Sequence, residues 1–227
     1  MAIAARMIDK NALIQPDKGQ PATAIHLVDK AGLPAFVKGL SAPQRAALAA
    51  QKVEGDGYSY AIVPRGDHRF VVSGVANTES LSSWCMAKLA EVLPAGTYRR
   101  AGGEPGPALF GWVTGQYRFD RYLSKPSEEG ARVLLTKDVA AITPALAEAA
   151  ATALVRDLVN TPAEDMGPAQ IEAEAHNLAK AHRATFKVTS GDALEQGYPM
   201  VHAVGRAASR HHAPRMIELH WGDEKHP

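Results

Sequence analysis

An alternation of short β-forming segments with helix-forming segments, over about the first 140 residues, most constrains the fold of this chain. The β-forming segments are rich in Val, Ile, Tyr and Phe, and they comprise residues 24–28, 58–64, 68–74 and 132–136. Because Arg65, Gly66 and Asp67 separate the second segment from the third, a hairpin turn is predicted there. This alternation predicts an α/β fold, in which a mixed sheet is flanked by helices.

Between these segments the sequence carries helix signals. Ser41 followed by Gln44 has the spacing of a capping box before an Ala-rich helix. After Asn77, apolar residues at helical spacing predict a helix that Pro94 and Gly96 end, with one face made of Leu81, Trp84, Cys85, Leu89 and Val92. Residues 99–107, rich in Gly and Pro, are predicted to be a loop. The next helix is predicted from the spacing of Leu109, Trp112, Val113, Gln116 and Tyr117.

The pattern changes near residue 143. Thr143 and Pro144 predict the start of a long helix, whose inward-facing residues are predicted to be Ile142, Leu146, Leu154, Val155 and Leu158. Pro168 begins another helix, with an apolar stripe made of Ile171, Ala175, Leu178 and Ala179. Strands are then predicted at residues 184–190, 200–205 and 215–221. With a boundary near 138–143, we expect an N-terminal α/β domain at 1–138, a connecting helix at 139–160 and the start of a second α/β domain at 161–227.

Composition excludes some classes of partner. The formal net charge is +1, which gives no strong field for nucleic acid or an anionic membrane. No apolar run is expected to reach the roughly 20 residues of a membrane span, and Arg6, Asp9 and Lys10 make the N-terminus a poor signal peptide. The single cysteine, Cys85, fits a reducing compartment. We therefore expect a cytoplasmic protein with no membrane partner and no nucleic-acid partner.

Two stretches of the second half carry a resemblance to a known family. The stretches "RDLVNTPAEDMGP" (156–168) and "GYPMVHAVGRAASRHHAPRMIELHWG" (197–222) together resemble the leucine aminopeptidase, or cytosol aminopeptidase, family of two-metal exopeptidases. Upstream, "LPAGTYRRA" (93–101) and "WVTGQYRFDRY" (112–122) resemble the N-terminal domain of bacterial members. The resemblance covers most of the chain, and its motifs are fairly specific only in combination.

The resemblance implies a metal-dependent leucyl-type aminopeptidase that removes N-terminal residues from peptides. Such an enzyme uses two divalent metal ions, zinc or manganese, and is typically a cytoplasmic homohexamer. Its metal ligands lie in motifs of the type V-G-K-G…F-D-T-G-G, M-K-x-D-M and N-T-D-A-E-G-R-L, none of which occurs in these residues. We therefore expect residues 161–227 to be the beginning of the catalytic domain, truncated before the metal site. The segment alone is expected to bind no metal, to hold no catalytic or substrate-binding residue and to be inactive.

The alternative is a non-catalytic interaction or DNA-binding module derived from the same family. A net charge near zero weakens a DNA-binding role, because binding to phosphates needs clustered Lys and Arg. The coding DNA beyond codon 227 discriminates between the two hypotheses, since an open frame encoding the missing motifs favours the enzyme.

Other candidate residues have a structural interpretation beside the functional one. Glu164 and Asp165 are interpreted as stabilising a helix N-terminus. A metal site is not favoured by the spacing of the late histidines, which are His202, His211, His212, His220 and His226. The stretch "AGGEPG" (101–106) resembles a phosphate loop but lacks the following Lys and Ser or Thr, so a plain loop is expected.

Five further residues complete the set of candidate site residues. Cys85 is expected to be a buried structural thiol. Arg118 and Arg121, with Asp120 between them, are expected to form a solvated, salt-bridged face. Asn160, before Thr and Pro, is interpreted as structural support for the catalytic half rather than as a catalytic group.

Overall fold

The computed structural model describes residues 12–125, 130–223 and 225. Contacts divide the chain into two compact units, Met1–Leu154 and Val155–Pro227, which we call the first unit and the second unit. The helix α5, Ile142–Asn160, belongs partly to each of them. The domain bounds expected from the sequence stay predictions.

The first unit contains a six-stranded mixed sheet. Its strands are β1 (Ile14–Pro16), β2 (Thr23–Val28), β3 (Tyr60–Arg65), β4 (His68–Gly74), β5 (Gly96–Ala101) and β6 (Arg132–Thr136), in the order β1-β6-β5-β2-β4-β3. All neighbours pair in parallel except β3 and β4, which form the predicted antiparallel hairpin. Gly66 lies in its turn with φ of 60°, a conformation that Gly adopts without steric cost. The α/β prediction with a mixed sheet is confirmed.

Helices cover both faces of this sheet. They are α1 (Leu33–Lys38), α2 (Ala42–Ala50), α3 (Ala87–Val92), α4 (Ala108–Thr114) and the first part of α5, which follows a 3-10 turn at Val139–Ala141. The predicted start of α2 is confirmed, since the backbone N–H of Ser41 donates to Oε1 of Gln44 at 3.0 Å. Helix α1 and the short strand β1 were not predicted from the sequence.

Side-chain alternation along the strands divides the core in two. Ile25 and Val71, paired between β2 and β4, lie in a larger core that α3, α4 and α5 cover. Their neighbours on β4, Phe70 and Val72, point to the opposite face. There they join Val63 in a smaller core against α1 and α2. The two helix layers are therefore held by the two faces of the same strands.

Two predicted elements of the first unit are corrected. The helix expected soon after Asn77 begins only at Ala87, because Oδ1 of Asn77 accepts from the backbone N–H of Glu79 at 2.8 Å and closes a turn instead. Its buried residues are Leu89 and Ala90, and the flanking Met86 and Leu93 are buried as well, whereas Trp84 is 45% exposed. Residues 99–101, expected in a loop, belong to β5, which pairs with β2 and β6 on its two sides.

Helix α5 confirms the predicted long helix and part of its inward face, since Ile142 and Leu146 pack against the larger core. Ala149 and Ala153 are its buried residues, and Val155 is 59% exposed. Among the described residues, the stretch Val139–Asn160 is long and apolar enough to cross a membrane, by length and composition. The expectation that no run reaches this measure is wrong. A single such helix is weak evidence for a membrane.

The second unit contains the rest of α5 and a two-stranded antiparallel sheet with three more helices. Its elements are α6 (Pro168–His182), β7 (Thr185–Ser190), α7 (Gly191–Gly197), α8 (Pro199–Gly205), a 3-10 turn at Arg210–His212 and β8 (Arg215–His220). The strand predicted at 200–205 is wrong, because these residues form α8. Pro199 favours a first helical turn, and the apolar residues Met200, Val201 and Val204 fit one helix face as well as they fit a short strand.

Two glycines let α3 and α4 approach closely. A Cβ atom at Gly111 would lie 2.2 Å from the carbonyl oxygen of Ser83, and one at Gly115 would lie 2.3 Å from that of Ala87. We predict that Gly111→Ala lowers the free energy of unfolding by about 1–3 kcal/mol, because the clash is with backbone that must shift. Gly57→Ala is the matched control, since nothing lies within 4 Å of a Cβ there. Denaturant unfolding that gives equal stability for the two variants would contradict the close approach.

His26 on β2 gives a pH-dependent prediction. Its ring lies 5.1 Å from the ring of Phe36 and 5.4 Å from that of Phe70. Burial, and secondarily the charge of Arg65, lower the pKa of His26 below its usual value of 6.5. Below that pH the unfolded chain binds more protons than the folded one, so stability falls as the pH falls toward the folded pKa. We expect the thermal midpoint of the first unit to decrease between pH 7 and pH 5, and His26→Gln to reduce that decrease. An identical pH profile in the variant would refute the assignment of this pH dependence to His26.

Candidate functional site

The stretch that links α5 to α6 is closed by its own hydrogen bonds. Thr161 is buried, and its Oγ1 and backbone N–H both donate to the carbonyl oxygen of Asp157, at 2.6 Å and 3.0 Å. The N–H groups of Asp165 and Met166 then both donate to the carbonyl oxygen of Pro162 at 2.9 Å. Asn160 is the exposed last residue of α5. The Asn-Thr-Pro turn thus satisfies the C-terminus of one helix and leads directly to the next.

The acidic pair and the histidines do not converge. Glu164 and Asp165 are exposed in the turn before α6. Nδ1 of His202 lies 3.8 Å from Oε1 of Glu195, and Nε2 of His220 lies 4.0 Å from Oε1 of Glu218. His211 is exposed, and His226 lies outside the described residues, as do Arg6, Asp9 and Lys10. Across 12–125, 130–223 and 225, no three His, Cys, Asp or Glu side chains group closely enough to hold a metal ion.

His212 has a place that the sequence did not reveal. It packs directly against Gly167, the residue before α6, where an added Cβ would lie 2.1 Å from Nδ1 of His212. The N–H of Gly167 donates to Oε1 of Gln170 at 3.1 Å. The 3-10 turn that carries His212 is therefore held against the start of α6 because residue 167 has no side chain.

An apolar groove of about 500 Å³ lies in the second unit among α6, α8 and β8. It is lined by Pro168, Met200, Val201, Val204, Gly205, Pro214 and Arg215. The guanidinium of Arg215 forms an ion pair with Glu172 on α6 and also donates from Nε to the carbonyl oxygen of Ala213 at 3.2 Å. The charge in the lining is thus already paired, and the rest of the lining offers apolar contact.

In the first unit the candidate loop is a structural one. Oε2 of Glu104 accepts from Oγ1 of Thr136 at 2.7 Å and from the backbone N–H of Lys137 at 2.9 Å. Arg100 donates from Nη2 to the carbonyl oxygen of Thr78 at 2.9 Å and from Nη1 to that of Glu104. The stretch 101–106 is consequently held to the end of β6 by the side chain of Glu104, and Arg100 connects it to Thr78 in the segment after β4.

The remaining candidates also make local contacts. Cys85 is only half-buried, and its Sγ accepts from the N–H of Ser82 at 3.2 Å. Nη1 of Arg118 donates to the carbonyl oxygen of Tyr117 at 3.0 Å. The guanidinium of Arg121 lies 5.7 Å from the ring centre of Tyr122, at cation–π distance.

An ion pair between the first strand and β5 was not recognised from the sequence. Nε and Nη2 of Arg99 donate to the two carboxylate oxygens of Asp17, at 2.5 Å and 2.8 Å. The side chain of Asp17 is 5% exposed. These bonds from Arg99, together with the N–H of Gly19, lower the pKa of Asp17 below its usual range. The contact supports the sheet and does not face a candidate site.

Fold and site geometry together define a two-unit α/β protein whose described residues provide no metal cluster. Residues 23–136 match the family model described as "M17 aminopeptidase, N-terminal domain", and residues 153–227 match "Cytosol aminopeptidase family, catalytic domain". The first of these matches alone covers about half of the chain. The chain therefore belongs to the M17, or cytosol aminopeptidase, family, which confirms the resemblance found in its motifs.

Solved structures of family members give the same result. The cytosol aminopeptidase of Coxiella burnetii matches with 27% identity and a TM-score of 0.77, over 95% of this chain and 47% of its own. The bottromycin maturation enzyme BotP, in complex with Mn, matches with 26% identity and a TM-score of 0.65, over 88% and 45%. A tomato leucine aminopeptidase mutant shares the fold at 15% identity and a TM-score of 0.64, over 91% and 49%. The chain spans about half the length of these structures.

The contact between Gly167 and His212 generates a prediction for the second unit. Gly167→Ala should lower its free energy of unfolding by about 1–3 kcal/mol, because the new methyl group overlaps the imidazole. Adding His212→Ala should restore much of the loss, since the obstructing ring is then absent. Gly197→Ala is the control, because nothing lies within 4 Å of a Cβ at that position. Equal losses in the single and double variants, measured by urea unfolding, would show that the ring is not the cause.

Proposed function

We propose that the intact protein is a metal-dependent aminopeptidase of the leucyl type, which removes N-terminal residues from peptides. The observation that carries this proposal is the succession of two M17 domains along one chain, at residues 23–136 and 153–227. We further propose that the enzyme works in the cytoplasm as a homo-oligomer, most simply the hexamer typical of the family. The alternative of a DNA-binding module finds no support in the comparisons.

The described residues do not fit a two-metal centre. Such a centre needs several anionic ligands that converge on ions about 3.5–4 Å apart, and the described part of the chain has no group of three potential ligands. We therefore propose that the two divalent ions, zinc or manganese, are bound by catalytic-domain residues of the intact enzyme other than the described ones. The Mn complex of BotP, which is 26% identical, supports a metal requirement.

In this proposal the residues present have a supporting role. The turn at 160–162 and helix α6 begin the catalytic domain, and the ion pair of Arg215 with Glu172 fixes β8 against α6. Strand ends in α/β enzymes position the catalytic groups that follow them. The sheet of β7 and β8 would thus present the chain beyond β8 to the metal site.

We predict that the 227-residue chain alone has no aminopeptidase activity. Purified protein incubated with a leucyl chromogenic substrate and with added Mn²⁺ or Zn²⁺ should give only the background rate, because the described residues contain no metal cluster that could activate water. The protein encoded by the reading frame beyond codon 227 should be active under the same conditions and should lose activity on treatment with a chelator. Metal-dependent turnover by the 227-residue chain would refute the assignment of the metal ligands.

A further inference from the structure

The outer strands of the six-stranded sheet in the first unit are β1 and β3. An edge strand presents backbone N–H and C=O groups that face away from its sheet, and such groups pair readily with a strand of another molecule. Along a strand, alternate residues direct these groups toward the neighbouring strand and the residues between them direct the groups outward. The pairing within the sheet therefore shows which groups lie on its two outer edges.

On β3 the backbone groups of Tyr60, Ile62 and Pro64 face outward. The carbonyl oxygen of Ser59 accepts from the N–H of Gly74 at 2.8 Å, so Ser59 bonds toward β4. Because the hairpin is regular, every second residue after Ser59 bonds toward β4 as well. The three residues between them form the outer edge.

The side chain of Gln51 occupies both outward groups of Ile62. The N–H of Ile62 donates to Oε1 of Gln51 at 3.0 Å, and Nε2 of Gln51 donates to the carbonyl oxygen of Ile62 at 3.0 Å. One primary amide thus makes the pair of bonds that a residue of a neighbouring antiparallel strand would make. Nε2 also donates to the carbonyl oxygen of Ala47 at 3.1 Å, which holds the amide at the end of α2.

Pro64 removes a donor from the same edge. Proline has no N–H, so this position offers only an acceptor to another strand. Because Pro64 faces outward, its ring costs the hairpin no bond to β4. The centre of the β3 edge is therefore occupied by Gln51, and its end near the turn has no donor at Pro64.

The opposite edge of the sheet has the same arrangement. The N–H of Asp17 donates to the carbonyl oxygen of Thr136 at 2.8 Å, so the preceding residue, Pro16, faces outward from β1. Nε2 of Gln20 donates to the carbonyl oxygen of Pro16 at 3.0 Å. A proline again provides no donor, and a glutamine amide again occupies an outward acceptor. The recurrence at both edges relates the arrangement to the edge position and not to one local turn.

We infer that Gln51 and Pro64 prevent β3 from pairing with β3 of a second copy of this chain. The prevented pairing is antiparallel about a two-fold axis at Ile62, where the N–H and C=O groups of the two Ile62 residues would bond to each other. Tyr60 of one copy would lie opposite Pro64 of the other, and its carbonyl oxygen would lack a donor there. The homo-oligomer proposed above therefore uses surfaces other than this edge.

Substitutions at Gln51 test the inference in the 227-residue chain. Gln51→Ala removes both bonds to Ile62, and Gln51→Met removes them while it keeps most of the side-chain length, so it decides the test where the alanine variant does not fold. Each variant should associate more strongly than the unsubstituted protein, with an average mass in sedimentation that rises with protein concentration. Gln51→Ala combined with Pro64→Ala should associate more strongly still, because each copy gains one outward donor.

Two control variants distinguish edge pairing from a general effect of the substitutions. Pro64→Ala alone should not increase association, because Gln51 still occupies the centre of the edge. Gln15→Ala removes another exposed glutamine amide, which donates to the carbonyl oxygen of Ala12 at 3.3 Å. It uncovers no outward group of Ile62 and should not increase association either. An increase in either control that equals that of Gln51→Ala overturns the inference.

Hydrogen exchange at the amide of Ile62 gives a readout specific to this edge. In dilute Gln51→Ala it should exchange about tenfold faster than in the unsubstituted protein, because its acceptor is absent. The exchange should slow as the concentration of the variant rises, because Ile62 of a second copy replaces Gln51. In the unsubstituted protein it should not depend on concentration. Unchanged exchange in the variant, or faster exchange without a rise in mass in either Gln51 variant, overturns the inference.

Discussion

The first unit depends on a buried hydrogen-bond network that connects α4 and the residues just after it to the start of β6. The carbonyl oxygen of Arg132 accepts from Nε1 of Trp112 at 2.8 Å and from Nε2 of Gln116 at 2.9 Å, and Oε1 of Gln116 accepts from the N–H of Arg132 at 2.9 Å. Because Trp112 and Gln116 are buried, each lost bond would leave a polar group without water. These hydrogen bonds thus determine where α4 lies along the sheet. The tilted packing of Trp112 on Tyr98, 5.6 Å between ring centres, depends on that position.

The sequence predicted those structural features that are determined by residues close together in the chain. The capping residues Ser41 and Gln44, the hairpin around Gly66 and the helix that begins at Pro168 were all predictable because each signal lies within a few residues. The family also was predictable, since its motifs are local.

The predictions of secondary structure were wrong where contacts between residues distant in sequence determine the structure. Residues 199–205 are apolar enough for a strand or a helix, and they form α8, while β7 and β8 pair directly with each other. Residues 99–101 look like a loop until β2 and β6 provide partners on both sides. The bond between Asp17 and Arg99 joins positions 82 residues apart. Local spacing carries no signal for such contacts.

The two parts of α5, before and after the boundary at Leu154, differ in the burial of their apolar residues. In the first unit the helix is close to the larger core, and alanine at 149 and 153 permits that approach because its side chain is small. Beyond Leu154 the apolar positions change to Val155 and Val159, one turn apart, which are 59% and 77% exposed. A β-branched residue lowers helix propensity slightly, so its place on a water-exposed face gains nothing for an isolated helix. Met200 and Val204 of α8 are exposed as well, so the second unit keeps apolar side chains in water on both of these helices.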